Sequence, residues 1–131
     1  MRGLDTNVLV RYLTQDDPRQ SKRANAVIEN ALAREDRLHV DTIVLCELVW
    51  VLRAAYQLDR ATIAAALLQM IDAAQLSLDD RDLVREAAHR YRNGPGDFAD
   101  YAIALSNLAA GCETTLTFDR AHKRDELFSL L

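Results

Sequence analysis

The most informative segment of the chain is Gly94-Pro95-Gly96-Asp97-Phe98-Ala99-Asp100-Tyr101-Ala102-Ile103-Ala104, which places two carboxylates at the start of an otherwise apolar helix. The glycines and the proline end the preceding element, and Asp97 is well suited to cap the new helix. Asp100 follows three residues later, so the two carboxylates share one side of the first turn and repel each other. The pair therefore has two interpretations: an ordinary helix start favoured by the helix dipole, or two groups that share a cation.

The composition of the chain indicates one small folded domain with a core of its own. Its 131 residues fall within the usual length of a single domain, and 50% of them are hydrophobic. We therefore expect residues 1–131 to form one domain. The net charge of −4 argues against a generic basic nucleic-acid binder, although an acidic enzyme can reach phosphate groups through bound metal ions.

Cysteine usage and the N-terminus indicate a cytoplasmic protein. Cys46 and Cys112 lie in apolar contexts without zinc-ligand spacing, so we interpret them as buried thiols in a reducing compartment. The N-terminus carries a charge at Asp5 and lacks the apolar core of a signal peptide. No apolar run approaches the roughly 18 residues of a membrane span, so we expect no membrane association.

Predicted strands alternate with predicted helices along the chain. Short strands are expected at 3–4, 38–40, 76–78 and 114–118, and the tail 126–131 either adds a last strand or simply packs. Helical spacing and capping signals predict helices from residue 8 and at 18–34, 43–56, 60–74, 82–92 and 97–110. This alternation predicts an α/β fold with a parallel sheet and right-handed crossovers.

Five acidic residues occupy positions from which they can reach one pocket. Asp5 and Asp119 directly follow predicted strands, and Glu47 lies about one turn into the helix after the second strand. Asp97 and Asp100 open another helix, and functional sites in parallel sheets gather at the carboxyl ends of the strands. Because converging carboxylates repel each other, this arrangement predicts a hard divalent cation, Mg²⁺ or Mn²⁺.

Glu47 is the only acid of the predicted helix 43–56, which is apolar nearly all round and is therefore expected to be buried. A buried carboxylate without a partner carries a high desolvation cost. Either Arg53 and other neighbours satisfy this carboxylate, or it points into a polar cavity. The other four acids favour the cavity.

An oxygen-ligand site without histidine fits phosphodiester hydrolysis assisted by metal ions. The sequence shows no serine or cysteine beside a histidine, no glycine-rich phosphate loop and no nucleotide-binding fingerprint. Four further residues are candidates to hydrogen-bond a carboxylate or an attacking water: Thr6, Asn7, Thr42 and Thr117. Each is equally suited to a cap or a turn.

Basic side chains form two groups. A basic group directly follows Asp119, and it comprises Arg120, His122, Lys123 and Arg124. A second set shares one face of the predicted helix 18–34, and we interpret it as solvated surface rather than an RNA-binding stripe; it comprises Arg19, Lys22 and Arg23.

The ordered set of motifs resembles the PIN-domain ribonucleases, and most closely the VapC-type toxins of bacterial type II toxin–antitoxin systems. The resemblance covers nearly the whole chain and is fairly specific as a set. It is carried by Leu4-Asp5-Thr6-Asn7-Val8-Leu9, by Leu45-Cys46-Glu47-Leu48, by the segment from Asp97 to Ala104 and by Thr117-Phe118-Asp119. Tyr101 departs from the small residue that is common in the family at this position, which we expect to alter packing more than chemistry.

The resemblance implies a PIN-like three-layer α/β/α fold with a small, mainly parallel sheet of four to five strands. It also implies a Mg²⁺-dependent endoribonuclease, with Mn²⁺ as a substitute, that acts on RNA. The implied partners are a small VapB-like antitoxin and a second copy of the chain in a homodimer, with a higher toxin–antitoxin assembly as a further option. By motif position the catalytic and metal-binding quartet would be Asp5, Glu47, Asp100 and Asp119.

Asp97 is a fifth metal-ligand candidate by its position beside Asp100. The resemblance does not include it in the quartet, because not every member of the family carries an acid at this position. Other functions also remain open at the level of sequence. A PIN-fold nuclease of RNA processing, outside a toxin–antitoxin pair, and a non-catalytic partner-binding protein would share the same motifs. An aspartyl-phosphate enzyme is a third option, but its phosphatase form requires an acid two residues after Asp5, where this chain has Asn7.

Overall fold

The computed structural model describes residues 1–131, which form six α-helices, five short strands and one 3₁₀ turn. None of the helices combines the length and the apolar composition needed to cross a membrane. The elements in chain order are β1 Arg2–Gly3, α1 Thr6–Thr14, α2 Pro18–Ala33, β2 Leu38–Val40, α3 Thr42–Ala54, α4 Arg60–Asp72, β3 Leu76–Leu78, α5 Arg81–Asn93, α6 Phe98–Ala109, β4 Thr115–Thr117, the 3₁₀ turn Arg120–His122 and β5 Phe128–Leu130.

All strand pairs are parallel. The order β1-β2-β3 forms one ladder in which Gly3 lies opposite His39 and His39 lies opposite Ser77, while β4 and β5 form a second ladder. Each step from β1 to β2 to β3 passes through two helices, as parallel strands require. The predicted α/β/α fold with parallel strands is confirmed, but the five strands form two sheets, of three and two strands, rather than one sheet of four to five. The tail beyond residue 126 adds the last strand.

Each helix and the 3₁₀ turn begin directly after an aspartate. A short acid is favoured there because its carboxylate can accept hydrogen bonds from the N–H groups that the first turn leaves unpaired. These local signals explain why the predicted helix starts agree with the structure to within one or two residues. The seven N-cap residues are Asp5, Asp17, Asp41, Asp59, Asp80, Asp97 and Asp119.

The core lies between the three-stranded ladder and the helices. Helix α4 packs against α5, and α5 in turn packs against α6. One face of α4 lies in this core, since Ile63, Leu67 and Ile71 are fully buried. The start of α6 is anchored in the same core by the buried side chains of Phe98 and Tyr101. The first turn of α6 is thus fixed in position by packing.

Helix α3 is not buried all round, so that prediction was wrong. Leu45, Leu48 and Leu52 face the core, but Ile43 and Trp50 are about 70% and 69% exposed. Ile43, Glu47 and Trp50 follow helical spacing, so they form one outward face of α3. An apolar composition shows that a helix can be buried, but it does not show how many of its faces the protein covers.

The cysteine prediction was also only partly correct. Cys46 is half-buried, and its burial raises the pKa of the thiol. Cys112 is exposed, because it follows the glycine that ends α6 on the surface. Gly111 has a φ of 97°, the left-handed conformation that glycine readily adopts just beyond a helix end.

A polar cluster ties the end of α1 to the segment after α3. The Tyr56 hydroxyl donates to Asp16 Oδ2 at 2.5 Å, Thr14 Oγ1 donates to Asp16 Oδ1 at 2.8 Å, and Arg11 Nη1 lies 3.2 Å from the same oxygen. The hydrogen bonds from Tyr56 and Thr14, together with the charge of Arg11, lower the pKa of Asp16 below its ordinary value. The folded state therefore favours the ionised carboxylate.

Replacement of this carboxylate should destabilise the protein at neutral pH. Because the folded-state pKa of Asp16 is lowered, its contribution is present above the unfolded pKa of 3.8 and is lost as the pH falls through the folded-state pKa. Asp16→Asn should therefore lower the urea midpoint at pH 7, and the difference from wild type should narrow below pH 3.8. The exposed Glu113→Gln is the matched control, and an equal shift at both pH values would contradict this assignment.

Candidate metal centre

Two of the predicted acids meet at the start of α6. The ligand atoms of Asp100, Asp119 and His122 all lie within 4.8 Å of one another. His122 Nε2 is 3.4 Å from Asp100 Oδ2 and 3.9 Å from Asp119 Oδ2. The structure thus brings together an acid of the first helical turn and an acid that follows β4, which are 19 positions apart in the sequence.

Backbone amides hold one carboxylate oxygen of each of three acids. Thr6 N donates to Asp5 Oδ1 at 2.9 Å, and Asp97 N donates to Asp100 Oδ2 at 3.0 Å in the capping box of α6. Ala121 N donates to Asp119 Oδ1 at 2.9 Å. The other oxygen of each carboxylate makes no hydrogen bond within the protein. Fixed carboxylates that each offer a free oxygen are the donor type that Mg²⁺ and Mn²⁺ prefer, so these residues fit such an ion.

Asp5 lies at the carboxyl end of β1, as predicted, but it does not belong to the close group formed by Asp100, Asp119 and His122. The pairing of β1 with β2 extends to Leu4, whose backbone N–H donates to His39 O at 2.9 Å, so the position of Asp5 is set by the sheet. Its side chain is exposed. Thr6 beside it is buried, and its hydroxyl has no hydrogen-bond partner in the protein.

Glu47 is exposed and makes no hydrogen bond or ion pair. The expected burial of Glu47 was therefore wrong, and with it the need for an internal partner or an enclosed cavity. Arg53 does not satisfy it, because Arg53 Nη1 donates to Leu58 O at 3.1 Å. The neighbouring groove of about 250 Å³ is lined by Trp50, Arg53 and Asp97 among others, but not by Glu47. Like Asp5, Glu47 lies outside the close group of Asp100.

The four predicted supporting residues occupy different environments. Thr117 Oγ1 accepts a hydrogen bond from the backbone N–H of Asp119 at 3.0 Å, so it fixes that acid. Thr6 is buried beside Asp5, as described above. Asn7 is exposed and lines a groove of about 360 Å³ between α1 and α2. Thr42 is not at this site, since its hydroxyl donates to Asp79 Oδ2 at 3.3 Å.

His122 is the residue that sequence reasoning missed, and the expectation of a histidine-free site was wrong. Its side chain is only 2% exposed. The ring stacks on Phe128 with 3.9 Å between centroids and meets the Tyr101 ring edge-on at 5.8 Å. Its Nδ1 has no partner in the protein. The signal in the sequence was the spacing Asp119-x-x-His122, which a helical turn converts into proximity.

The glycines before α6 are required by close packing and not only by the turn. A Cβ at Gly96 would collide with the His122 ring, and a Cβ at Gly94 would collide with the Tyr101 hydroxyl. That hydroxyl accepts a hydrogen bond from Gly96 N at 3.0 Å. Tyr101 therefore contributes to the packing around the site by holding the loop that precedes Asp97.

Arg60 is a second residue that the sequence did not reveal. Its guanidinium donates to three backbone carbonyls: Tyr91 O at 2.9 Å, Gly96 O at 2.6 Å and Pro95 O at 3.0 Å. It also lies 4.6 Å above the centre of the Tyr91 ring. In the sequence it is simply the first residue after an N-cap. In the fold it anchors the loop that leads to the acids of α6.

Removal of this anchor should loosen the loop. Arg60→Ala leaves three carbonyls without a charged donor, so we expect the free energy of unfolding to fall by about 2 kcal/mol, measured by urea denaturation. Arg85→Ala is the matched control, because Arg85 forms only an exposed ion pair with Asp72 and should cost at most about 1 kcal/mol. Equal losses in the two variants would show that Arg60 does not anchor the loop.

Comparison with known proteins identifies the family of the chain. The family model of the PIN domain matches residues 4–126. A protein named VapC ribonuclease from Aquifex aeolicus (strain VF5) is 23% identical over 124 residues, which cover 95% of this chain and 91% of that protein. The family match spans nearly every helix and strand described above, together with all the acids of the candidate site. The chain is therefore a member of the PIN domain family.

Proposed function

We propose that this chain is a metal-dependent endoribonuclease that hydrolyses RNA phosphodiester bonds and acts as the toxin of a toxin–antitoxin pair in the cytoplasm. Membership of the PIN domain family and the similarity to a protein named VapC ribonuclease support this function. The main support for this function is that the carboxylates of Asp100 and Asp119 lie close together. In each of them a backbone N–H holds one oxygen, and the other oxygen makes no hydrogen bond.

The proposed metal ligands are Asp100 and Asp119, with Asp5 reaching the ion from the end of β1 and Glu47 from the middle of α3. Asp97 is proposed as a further ligand or as the cap that holds Asp100. A bound Mg²⁺ or Mn²⁺ would neutralise phosphate oxygens and lower the pKa of a water molecule so that it can attack phosphorus. The carboxylate of Glu47 is exposed and has no partner, which supports its assignment as a metal ligand. An ion pair inside the protein would instead have given Glu47 a structural role.

The residues around the acids would orient them rather than react. Asp97 N–H and His122 Nε2 both face Asp100 Oδ2, so they fix that oxygen and leave the other free. The backbone N–H of Ala121 holds Asp119 Oδ1 in the same way, and Thr117 Oγ1 accepts the backbone N–H of Asp119 and so fixes its main chain. Thr6 carries a buried hydroxyl without a partner beside Asp5, where it can donate a hydrogen bond to a water molecule or a phosphate oxygen. Asn7 is proposed for the same role at the surface.

Two protein partners belong to this proposal: a small VapB-like antitoxin and a second copy of the chain. Large apolar side chains are exposed on α3 and α6, including Ile43, Trp50 and Ile103. Exposed apolar groups of this kind often mark protein contacts. Light scattering of the purified chain tests the homodimer. A short neighbouring gene whose product binds the chain and stops RNA cleavage would support the antitoxin, whereas its absence would favour a role in RNA processing.

Loss of one carboxylate should abolish cleavage without unfolding the protein. Asp100→Asn keeps an oxygen that can accept the Asp97 N–H but removes the charge, so we expect RNA cleavage in Mg²⁺ to fall about 100-fold or more. Mn²⁺ affinity, measured by calorimetry, should fall as well. Asp82→Asn, which changes an exposed acid in the first turn of α5, should leave both quantities unchanged.

The same assay tests the dependence on metal. Wild-type protein should cleave RNA in Mg²⁺ or Mn²⁺ and lose this activity in excess chelator, with recovery when the metal is restored. Cleavage that continues in chelator would exclude the metal mechanism. Tight partner binding together with no measurable metal binding would instead identify a non-catalytic protein.

A further inference from the structure

A groove of about 650 Å³ adjoins the acidic cluster, and it is lined mainly by charged side chains of the C-terminal segment. One wall contains Pro95, two residues before Asp97, and another begins at Arg120, the residue after Asp119. Ala121 also lines the groove, and its backbone N–H is the group that holds Asp119 Oδ1. The groove and the candidate metal centre therefore share their boundary.

The acids of this groove are already occupied by one arginine. Arg90 Nη1 lies 3.6 Å from Asp125 Oδ1 and Arg90 Nη2 lies 3.6 Å from Glu126 Oε1, while Arg90 Nε donates to Glu86 at 2.9 Å. These contacts leave three exposed cations that form neither an ion pair nor a side-chain hydrogen bond. They are Arg120, Lys123 and Arg124.

The backbone that carries these cations is fixed. The buried ring of His122 anchors its centre, and Asp125 N donates to His122 O at 3.0 Å. Asp125 also accepts the backbone N–H of Leu127 at 2.9 Å and thereby joins the segment to β5. The three cations consequently stand on a rigid turn beside the acids, in a protein whose net charge is −4. A local excess of positive charge of this kind attracts polyanions in spite of an acidic total.

We propose that the groove formed by Pro95 and residues 120–126 binds the sugar–phosphate backbone of single-stranded RNA next to the phosphate at the metal centre. This inference rests on the proposed nuclease function and names the surface that places the substrate. The spacing of three unpaired cations along one turn suits successive phosphates of a strand. The groove contains no exposed aromatic side chain, so the contact is made to the backbone and not to stacked bases.

The basic face of α2 provides a natural comparison. Arg19, Lys22 and Arg23 carry the same total charge, but only Arg23 lines a groove, the one between α1 and α2. The other arginine of that groove, Arg11, is held by Asp16 and Gln20. A triple substitution on α2 therefore changes the net charge equally without touching the proposed RNA surface.

Fluorescence anisotropy with a labelled, unstructured single-stranded RNA tests the proposal in the full-length chain. Binding is measured in chelator, which prevents metal-dependent cleavage, over a series of KCl concentrations. For Arg120→Gln/Lys123→Gln/Arg124→Gln we expect an affinity about 10- to 100-fold lower at 0.1 M salt and a salt slope smaller by about 2, as three lost phosphate contacts require. For Arg19→Gln/Lys22→Gln/Arg23→Gln we expect a change below about threefold, because exposed distant charges are screened.

Several results would overturn the inference: unchanged RNA affinity in the groove variant, equal losses in both triple variants, or no RNA binding by the wild type. Poly-glutamate that competes as well as RNA would also overturn it, because the groove would then recognise negative charge without phosphate. If the triple variant does not fold, the single variant Arg124→Gln should still reduce the salt slope by about 0.7. Cleavage of RNA in Mg²⁺ is scored separately. If the wild type binds RNA but does not cleave it, the nuclease function is contradicted and the groove is still supported. If the wild type cleaves RNA and the groove variant keeps its RNA affinity, the nuclease function is supported and the groove is contradicted.

Discussion

The contact of His122 with the first turn of α6 is the interaction on which the rest of the site depends. The two-stranded ladder of β4 and β5 is separate from the main sheet, and two short strands are marginally stable alone. The buried ring of His122, packed between Phe128 and Tyr101, attaches this ladder to α6. Its Nε2 then lies 3.4 Å from Asp100 Oδ2, so the packing contact also sets the distance between Asp100 and Asp119.

The loop before α6 is built around this contact. Gly96 has no Cβ because the His122 ring occupies that space, and Gly94 has none because the Tyr101 hydroxyl does. Arg60 closes the loop from the other side through three backbone carbonyls. In the sequence this turn resembles an ordinary helix end. In the structure it is a constrained junction where α4, α6 and the C-terminal ladder meet.

Helix capping and the proposed chemistry use the same residues. Asp5 and Asp119 cap the elements that follow them, and Asp100 accepts the Asp97 N–H in the capping box. A carboxylate has two oxygens, so one can satisfy an N–H of the first turn while the other faces solvent or an ion. An acid in the segment from Asp97 to Asp100 can therefore cap the helix and also bind an ion. The cap orients the group that the proposed function requires.

Local signals along the chain were sufficient to predict the elements and their order. Aspartate caps, Pro18 at a helix start and Gly111 beyond a helix end depend only on neighbouring residues and indicate the helix boundaries, and short β-rich runs indicate the strands. The tertiary structure decided what packs against what: the exposed face of α3, the burial of His122 and the anchoring role of Arg60. These depend on which residues distant in sequence meet, and composition or spacing within one segment contains no record of that. Contacts between distant residues also brought Asp100 and Asp119 together, as expected, and left Glu47 on the surface, which was not expected.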